Sequence, residues 1–347
     1  MKNNTKAIIS NNIEVDLTKI LSETQYDSIF ILMDNNTRKY CYEHISNIAA
    51  LQNAKTISIK EGEDNKNIET IMYIWNLLDT LGAKRNSLLI NLGGGMLSDL
   101  GGFAASCYKR GIDFINIPTT LLAQVDASAG GKTGFNFNSY KNQIGVFSLP
   151  KAVIISPIFL KTLSKKDFIS GYGEMLKHAL INEEKYLEDL LTFDTENIDY
   201  EKLATLISTS VDIKNQFVEQ DPEEQNIRKA LNFGHTIGHA IESYAIKNNL
   251  NIFHGEAVAL GMIAELYLSV KKKGFPEEKF NSISERIKKI YPSFDTTDRK
   301  EELVEIMMHD KKNTDSKINF TLLKDVGEFE IDNYCEKDEI IEALNSL

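Results

Sequence analysis

The chain has 347 residues, 42% of them hydrophobic and 26% charged, with a formal net charge of −11. That length exceeds what one hydrophobic core usually serves, so two domains are expected, and no apolar run is long enough to span a bilayer. The acidic balance argues against nucleic acid or an anionic membrane as partner, because both require a positive surface.

The opening "MKNNTKAIISNNIEVDL" lacks the apolar stretch and small-residue cleavage site of a secretory leader, which points to a cytoplasmic protein. Short apolar segments then alternate with helical periodicity: "SIFILMD" (28–34), "AKTISI" (54–59), the helical stretch 67–82, "SLLINLGGG" (87–95) and "DFINIPTT" (113–120). That alternation predicts a parallel α/β sheet. After "KAVIISP" (151–157) the pattern turns mainly helical, and only 317–331 reads as β, a hairpin turning at "KDVG". The predicted domains are therefore 1–156, α/β, and 157–347, mainly helical. Cys41, Cys107 and Cys335 lie far apart with no paired spacing, so neither a disulfide framework nor a thiolate zinc site is predicted.

Four stretches carry candidate chemistry. "LLINLGGGMLSDLGGFAAS" (88–106) reads as strand, glycine turn and helix start, where backbone amides can approach a pyrophosphate; Asp34, ending a strand, sits where a carboxylate meets a ribose hydroxyl or simply forms a turn. The segment 117–145 gathers Thr119, Thr120, Asp126, Lys132, Lys141 and Asn142 around glycines, and it reads as a long polar loop with a binding role. His235 and His239 share a helix face at i and i+4, and His254 follows a short polar loop. Glu174 precedes Lys177 and His178 by three and four residues on another helix. A carboxylate with histidines and an open position is the pattern of a catalytic metal site.

Taken in order and spacing, "GGGMLSDLGGFAASCYKRG", "IPTTLLAQVDASAGGKTGFN", "KNQIG", "SGYGEMLKHALI", "IRKALNFGHTIGHAIE" and "HGEAVALGM" resemble the motifs of the 3-dehydroquinate synthase family, across roughly residues 30 to 325. The resemblance implies an N-terminal Rossmann-like NAD-binding domain, a mainly α-helical metal-binding domain with the site in the cleft between them, and a homodimer. It implies conversion of 3-deoxy-D-arabino-heptulosonate 7-phosphate to 3-dehydroquinate and phosphate. The implied route is transient oxidation by NAD, phosphate elimination, re-reduction, ring opening and an intramolecular aldol step. Zinc or cobalt would be held by Glu174, His235 and His254, leaving His239 to move protons. NAD contacts would come from Asp34, Glu63, Lys66, Gly94, Gly95, Asp99, Thr119, Thr120, Lys141 and the segment Phe159, Leu160, Lys161, Thr162.

The anionic sugar phosphate would meet Arg110, Asp126, Lys132, Asn142, Lys177, Lys214, Arg228, Asn232 and one of Lys311 or Lys312. Among these, Lys132, Lys177, Arg228 and Asn232 join Glu224 and His239 as the implied catalytic set. The loop framing departs from the commonest family wording at Asn138, at Tyr140 and in "DPEEQNIR", while Lys141, Asn142, Glu224 and Arg228 are present. The alternatives are another sugar phosphate cyclase, such as a 2-deoxy-scyllo-inosose synthase, and a metal-dependent polyol dehydrogenase.

Overall fold

Six apolar segments of the first half lie side by side in one parallel sheet. In chain order the strands are β1 (Lys6–Ile9), β2 (Ser28–Asp34), β3 (Lys55–Ile59), β4 (Ser87–Gly93), β5 (Asp113–Pro118), β6 (Lys132–Phe137), β7 (Tyr140–Phe147), β8 (Ala152–Ile155), β9 (Ile318–Asp325) and β10 (Glu328–Cys335). The helices are α1 (Ile13–Ser22), α2 (Asn35–Tyr40), α3 (Glu43–Ser46), α4 (Ile68–Thr80), α5 (Gly95–Cys107), α6 (Lys165–Leu180), α7 (Glu184–Leu191), α8 (Tyr200–Gln220), α9 (His235–Lys247), α10 (His254–Lys273), α11 (Glu277–Ile290), α12 (Lys300–Met308) and α13 (Lys337–Ala343). This computed structural model describes residues 6–127, 130–138, 140–308 and 317–347. The chain forms two compact units, Met1–Ser164 and Lys165–Leu347.

In the first unit the sheet order is β1-β8-β5-β4-β2-β3, and every pairing in it is parallel. Alternate residues of β2 serve opposite faces: Ile31 and Met33 pack with α1, whereas Phe30 and Leu32 pack with α4 and α5. Both faces are thus covered, which is why these strands read as continuous apolar runs. The chain goes from β2 outward to β3, then returns to the other side of β2 as β4, so a crevice opens at the carboxyl ends of β2 and β4. Two amides sit inside the sheet. Asn91 of β4 is paired in register with Asn116 of β5 and donates to its side-chain oxygen at 2.9 Å, while a Cβ on Gly101 would meet Asn91 Oδ1 at 1.9 Å.

The polar segment 117–145, read above as a loop, instead contains an antiparallel hairpin, β6 with β7. Gly134 and Gly145 face each other across it, and a Cβ on Gly134 would meet the Ile144 carbonyl at 2.4 Å. Glycine here permits close strand approach, and it also masks the strand signal.

The second unit is helical apart from the β9-β10 hairpin, which turns at Val326-Gly327. At its centre runs α10, with Gly255 through Leu266 all buried and with α6, α9, α11, α13 and β9 packed around it. A helix apolar on every side belongs inside a helical core. Among the described residues, no helix is long and apolar enough to cross a membrane.

Candidate active site

Glycines let α6, α9 and α10 of the second unit touch backbone to backbone. A Cβ on Gly255 would meet the Ser170 carbonyl at 1.7 Å, and one on Gly173 would meet the Gly255 carbonyl at 2.5 Å. This contact brings Glu174 of α6 beside His254, the first residue of α10. A Cβ on Gly261 would likewise meet the Gly234 carbonyl at 2.1 Å, which seats His235, the first residue of α9, against α10.

The result is a convergence of donors on Glu174 Oε1: His235 Nε2 lies at 3.4 Å and His254 Nε2 at 3.6 Å. Glu174 is 0% exposed, and this oxygen accepts no hydrogen bond. Donors that share one tetrahedral cation through bonds of about 2.1 Å stand about 3.4 Å apart, so the spacing fits a bound ion. The other ring nitrogens are held from behind. His235 Nδ1 lies 3.1 Å from the Phe233 carbonyl, and His254 Nδ1 lies 3.2 Å from Glu242 Oε2. An imidazole donating from Nδ1 presents its Nε2 lone pair, the arrangement found behind metal-bound histidines. His239 lies beside them, its ring centroid 5.2 Å from that of His235 and 5.8 Å from that of His254.

Electrostatics suit Glu174 and His235 to holding a cation, whereas His254 must first lose a proton. Burial disfavours charge on Glu174, yet the Lys177 ammonium at 2.5 Å and the two imidazoles outweigh it and hold the carboxyl well below its usual range. Burial holds the His235 pKa well below 6.5, so its ring is neutral at pH 7. Burial would also lower His254, but Glu174 and Glu242 reverse that and raise it to about 10.

Beyond α8, Asp221 organises a turn by accepting from the amides of Gln225 (3.0 Å), Asn226 (2.7 Å) and Arg228 (3.1 Å). Within the turn Glu224 adopts a left-handed φ of 59°, and its Oε1 accepts from Asn232 Nδ2 at 2.9 Å. Arg228 is buried and donates to the Pro222 carbonyl at 2.7 Å. Lys214 is buried on α8, where Ser210, one turn earlier, lies 2.7 Å from His178 Nδ1. Lys311 and Lys312 lie outside the described residues.

In the first unit, Asp34, Gly94, Gly95, Thr119 and Thr120 gather at the carboxyl ends of β2, β4 and β5, with the Thr119 amide donating to the Gly93 carbonyl at 3.1 Å. The Asp34 Oδ1 caps α2, accepting from the Thr37 amide at 2.7 Å, so the turn-forming role is real for that oxygen. Lys66, only 4% exposed, donates to Asp99 Oδ2 and Asn142 Oδ1, both at 2.6 Å. Glu63 joins through Asn136, whose side-chain nitrogen donates to it at 3.0 Å. A pocket of about 310 Å³ adjoins this network, lined by Asp99, Lys132, Asn142 and the β6-β7 hairpin. Arg110 and Lys141 are exposed, and Arg110 has a left-handed φ of 69°. The side chains of Phe159 and Leu160 are buried, whereas Lys161 and Thr162 are exposed. Asp126 lies in the helical turn Ala123–Ala127.

Comparison with known proteins gives the family. The model described as 3-dehydroquinate synthase N-terminal matches residues 56–170, and the one described as 3-dehydroquinate synthase C-terminal matches residues 171–313. The chain belongs to the 3-dehydroquinate synthase family. A 3-dehydroquinate synthase of Parabacteroides distasonis is 48% identical over 342 residues, 98% of this chain and 97% of the relative. Two solved structures share the fold. A 2-deoxy-scyllo-inosose synthase complexed with carbaglucose-6-phosphate, NAD+ and Co2+ is 23% identical with a TM-score of 0.86, covering 97% of this chain and 95% of the other. A 2-epi-5-epi-valiolone synthase from Streptomyces hygroscopicus with NAD+ and Zn2+ bound is 22% identical with a TM-score of 0.87, covering 100% and 97%.

For a chain of the 3-dehydroquinate synthase family, the residues that sequence reasoning missed stand behind the site. Asp221 shapes the turn that holds Glu224 and Arg228, and Glu242 backs His254. No motif marks either one, because an acidic residue in a helical or turn context reads as ordinary surface.

Proposed function

We propose that the chain is a 3-dehydroquinate synthase that converts 3-deoxy-D-arabino-heptulosonate 7-phosphate to 3-dehydroquinate and phosphate. The observation that carries this reading is the buried Glu174 Oε1 with two imidazole nitrogens at 3.4 and 3.6 Å, in a chain 48% identical to a synthase over nearly its whole length. Glu174, His235 and His254 would hold the cation. When bound, NAD supplies a hydride acceptor and donor and a zinc or cobalt ion supplies Lewis acidity.

The chain's own residues supply position and protons. Lys177 neutralises the charge that Glu174 carries into the interior. His239, beside both imidazoles, is placed to move a proton, and Asn232 orients the Glu224 carboxylate for the same task. Lys177, Lys214 and Arg228 are buried cations in an acidic chain, suited to the phosphate and carboxylate of the substrate. Arg110, Asp126, Lys132, Asn142 and one of Lys311 or Lys312 complete the proposed substrate contacts. Asp34, Glu63, Lys66, Gly94, Gly95, Asp99, Thr119, Thr120, Lys141 and residues 159–162 form the proposed NAD site, where Phe159 and Leu160 would contribute backbone. The reading includes a cytoplasmic homodimer, and sedimentation of the purified chain measures its oligomeric state.

The test is phosphate release from the heptulosonate phosphate, with and without chelator and with NAD omitted. Release that needs both metal and NAD, with no NADH accumulating, is the expected result. Stoichiometric NADH without phosphate release would replace the synthase with a dehydrogenase. Glu174→Gln, which removes charge and little volume, is expected to weaken metal binding about tenfold or more and to abolish turnover.

A further inference from the structure

The helix that carries His235 and His239 begins at a residue with no side chain to cap it. Gly234 is the N-cap of α9, at a left-handed φ of 78°, and a Cβ there would meet Met262 Cγ at 2.5 Å. A side-chain cap is therefore sterically barred, and the first amides of α9 need another acceptor. That acceptor is Glu265, one helical turn beyond Gly261 on α10. Its Oε2 accepts from the Gly234 amide at 2.6 Å, and its Oε1 accepts from the Ile237 amide at 3.2 Å. Glu265 is 0% exposed, so its carboxylate has no solvent role.

We infer that Glu265 is a positioning residue for the metal site, a cap supplied by one helix to another that fixes His235 relative to His254. The two amides it holds flank His235, one on each side, and the helix that supplies the carboxylate is the one that opens with His254. A rotation or slide of the first turn of α9 would break both bonds together. The His235 ring would move with that turn, because His235 is its first residue. Nothing in its sequence context separates it from a surface glutamate; only its burial and the two amides do so.

The inference rests on the proposed metal site, and the test separates the two. Glu265→Gln keeps the volume but has one acceptor oxygen, so one amide of α9 would face an NH2 group. Cobalt titration followed by calorimetry and by visible absorption is compared among wild type, Glu265→Gln and Ser269→Ala. Ser269→Ala is the stability control: it removes a buried hydroxyl that donates to the Glu265 backbone carbonyl at 2.7 Å and accepts from the Leu323 amide at 3.0 Å, without touching the cap.

The expected result is cobalt affinity reduced about tenfold or more in Glu265→Gln, with an altered absorption band, and unchanged affinity in Ser269→Ala. Wild-type affinity and spectrum in Glu265→Gln would overturn the inference while leaving the metal site standing. Absence of cobalt binding by wild type would overturn the site itself. Hydrogen exchange on metal-free wild type needs no variant: the Gly234 and Ile237 amides are expected to be slow before metal is added. Exchange as fast as that of exposed loop amides would overturn the cap.

Discussion

Gly255→Ala tests how the proposed metal donors are brought together. The new methyl would lie 1.7 Å from the Ser170 carbonyl, where ordinary contact begins near 3.4 Å, so α6 and α10 must part locally by about 1.7 Å. Two opposed effects set the stability. Alanine gains at most about 1 kcal/mol over glycine as a helix former, and overpacking against backbone costs about 1–3 kcal/mol, so a net loss of up to about 3 kcal/mol is expected.

The effect on function is larger. Added to the present 3.6 Å between His254 Nε2 and Glu174 Oε1, that displacement gives about 5.3 Å, whereas two bonds of about 2.1 Å span at most about 4.2 Å. Cobalt titration of the purified variant is therefore expected to show loss of the tight site, with phosphate release falling in parallel, while thermal unfolding stays cooperative. Wild-type cobalt affinity in a folded Gly255→Ala protein would refute the claim that this backbone contact sets the donor spacing.

Removing the His239 imidazole as His239→Ala is expected to leave metal content unchanged and to lower phosphate release about 10²–10⁴-fold; loss of metal instead would make His239 a ligand. Metal affinity is expected to rise about tenfold per pH unit from about pH 7 to about pH 10, because only His254 still holds a proton that the ion must displace, while His235 is already neutral and Glu174 already ionised. Calorimetry in buffers of different ionisation enthalpy counts that proton, and a value of zero contradicts the assignment. In the metal-free protein the sign is opposite: the raised His254 pKa contributes stability that is full below about pH 6.5 and is lost as pH rises through about 10. Lys66→Met removes the cation that Asp99 and Asn142 share and is expected to cost about 2–3 kcal/mol in urea unfolding, somewhat less than a fully enclosed pair because Asp99 keeps some solvent; unchanged stability would refute the pairing.

The parallel sheet was legible because both its faces are covered, so β2 shows an unbroken apolar run, and β4 one interrupted only by Asn91, that no half-exposed strand would have. By contrast, α1 was missed although Ile13, Leu17 and Leu21 recur at four-residue spacing, since the polar segment around it dilutes the pattern. The β6-β7 hairpin escaped because Gly134 and Gly145 meet where strand-forming side chains would otherwise announce it. At the proposed metal site, Glu174, His235, His239 and His254 stand out by residue type and neighbouring glycines, and the family resemblance implies which three are ligands. Glu265, Glu242 and Asp221 do not, for their meaning lies in partners 12 to 31 positions away or in a turn whose shape only folding reveals.

The paired amides of Asn91 and Asn116 bear on how the carboxyl end of the sheet is assembled. In a sheet of apolar side chains alone, one strand could ratchet past its neighbour with little penalty, since one branched aliphatic replaces another. A lone amide couple removes that freedom, because any misalignment strands two polar groups in hydrocarbon. Gly93 and Pro118 two residues farther along, and with them the loop tips they launch, inherit their alignment from that single keyed position.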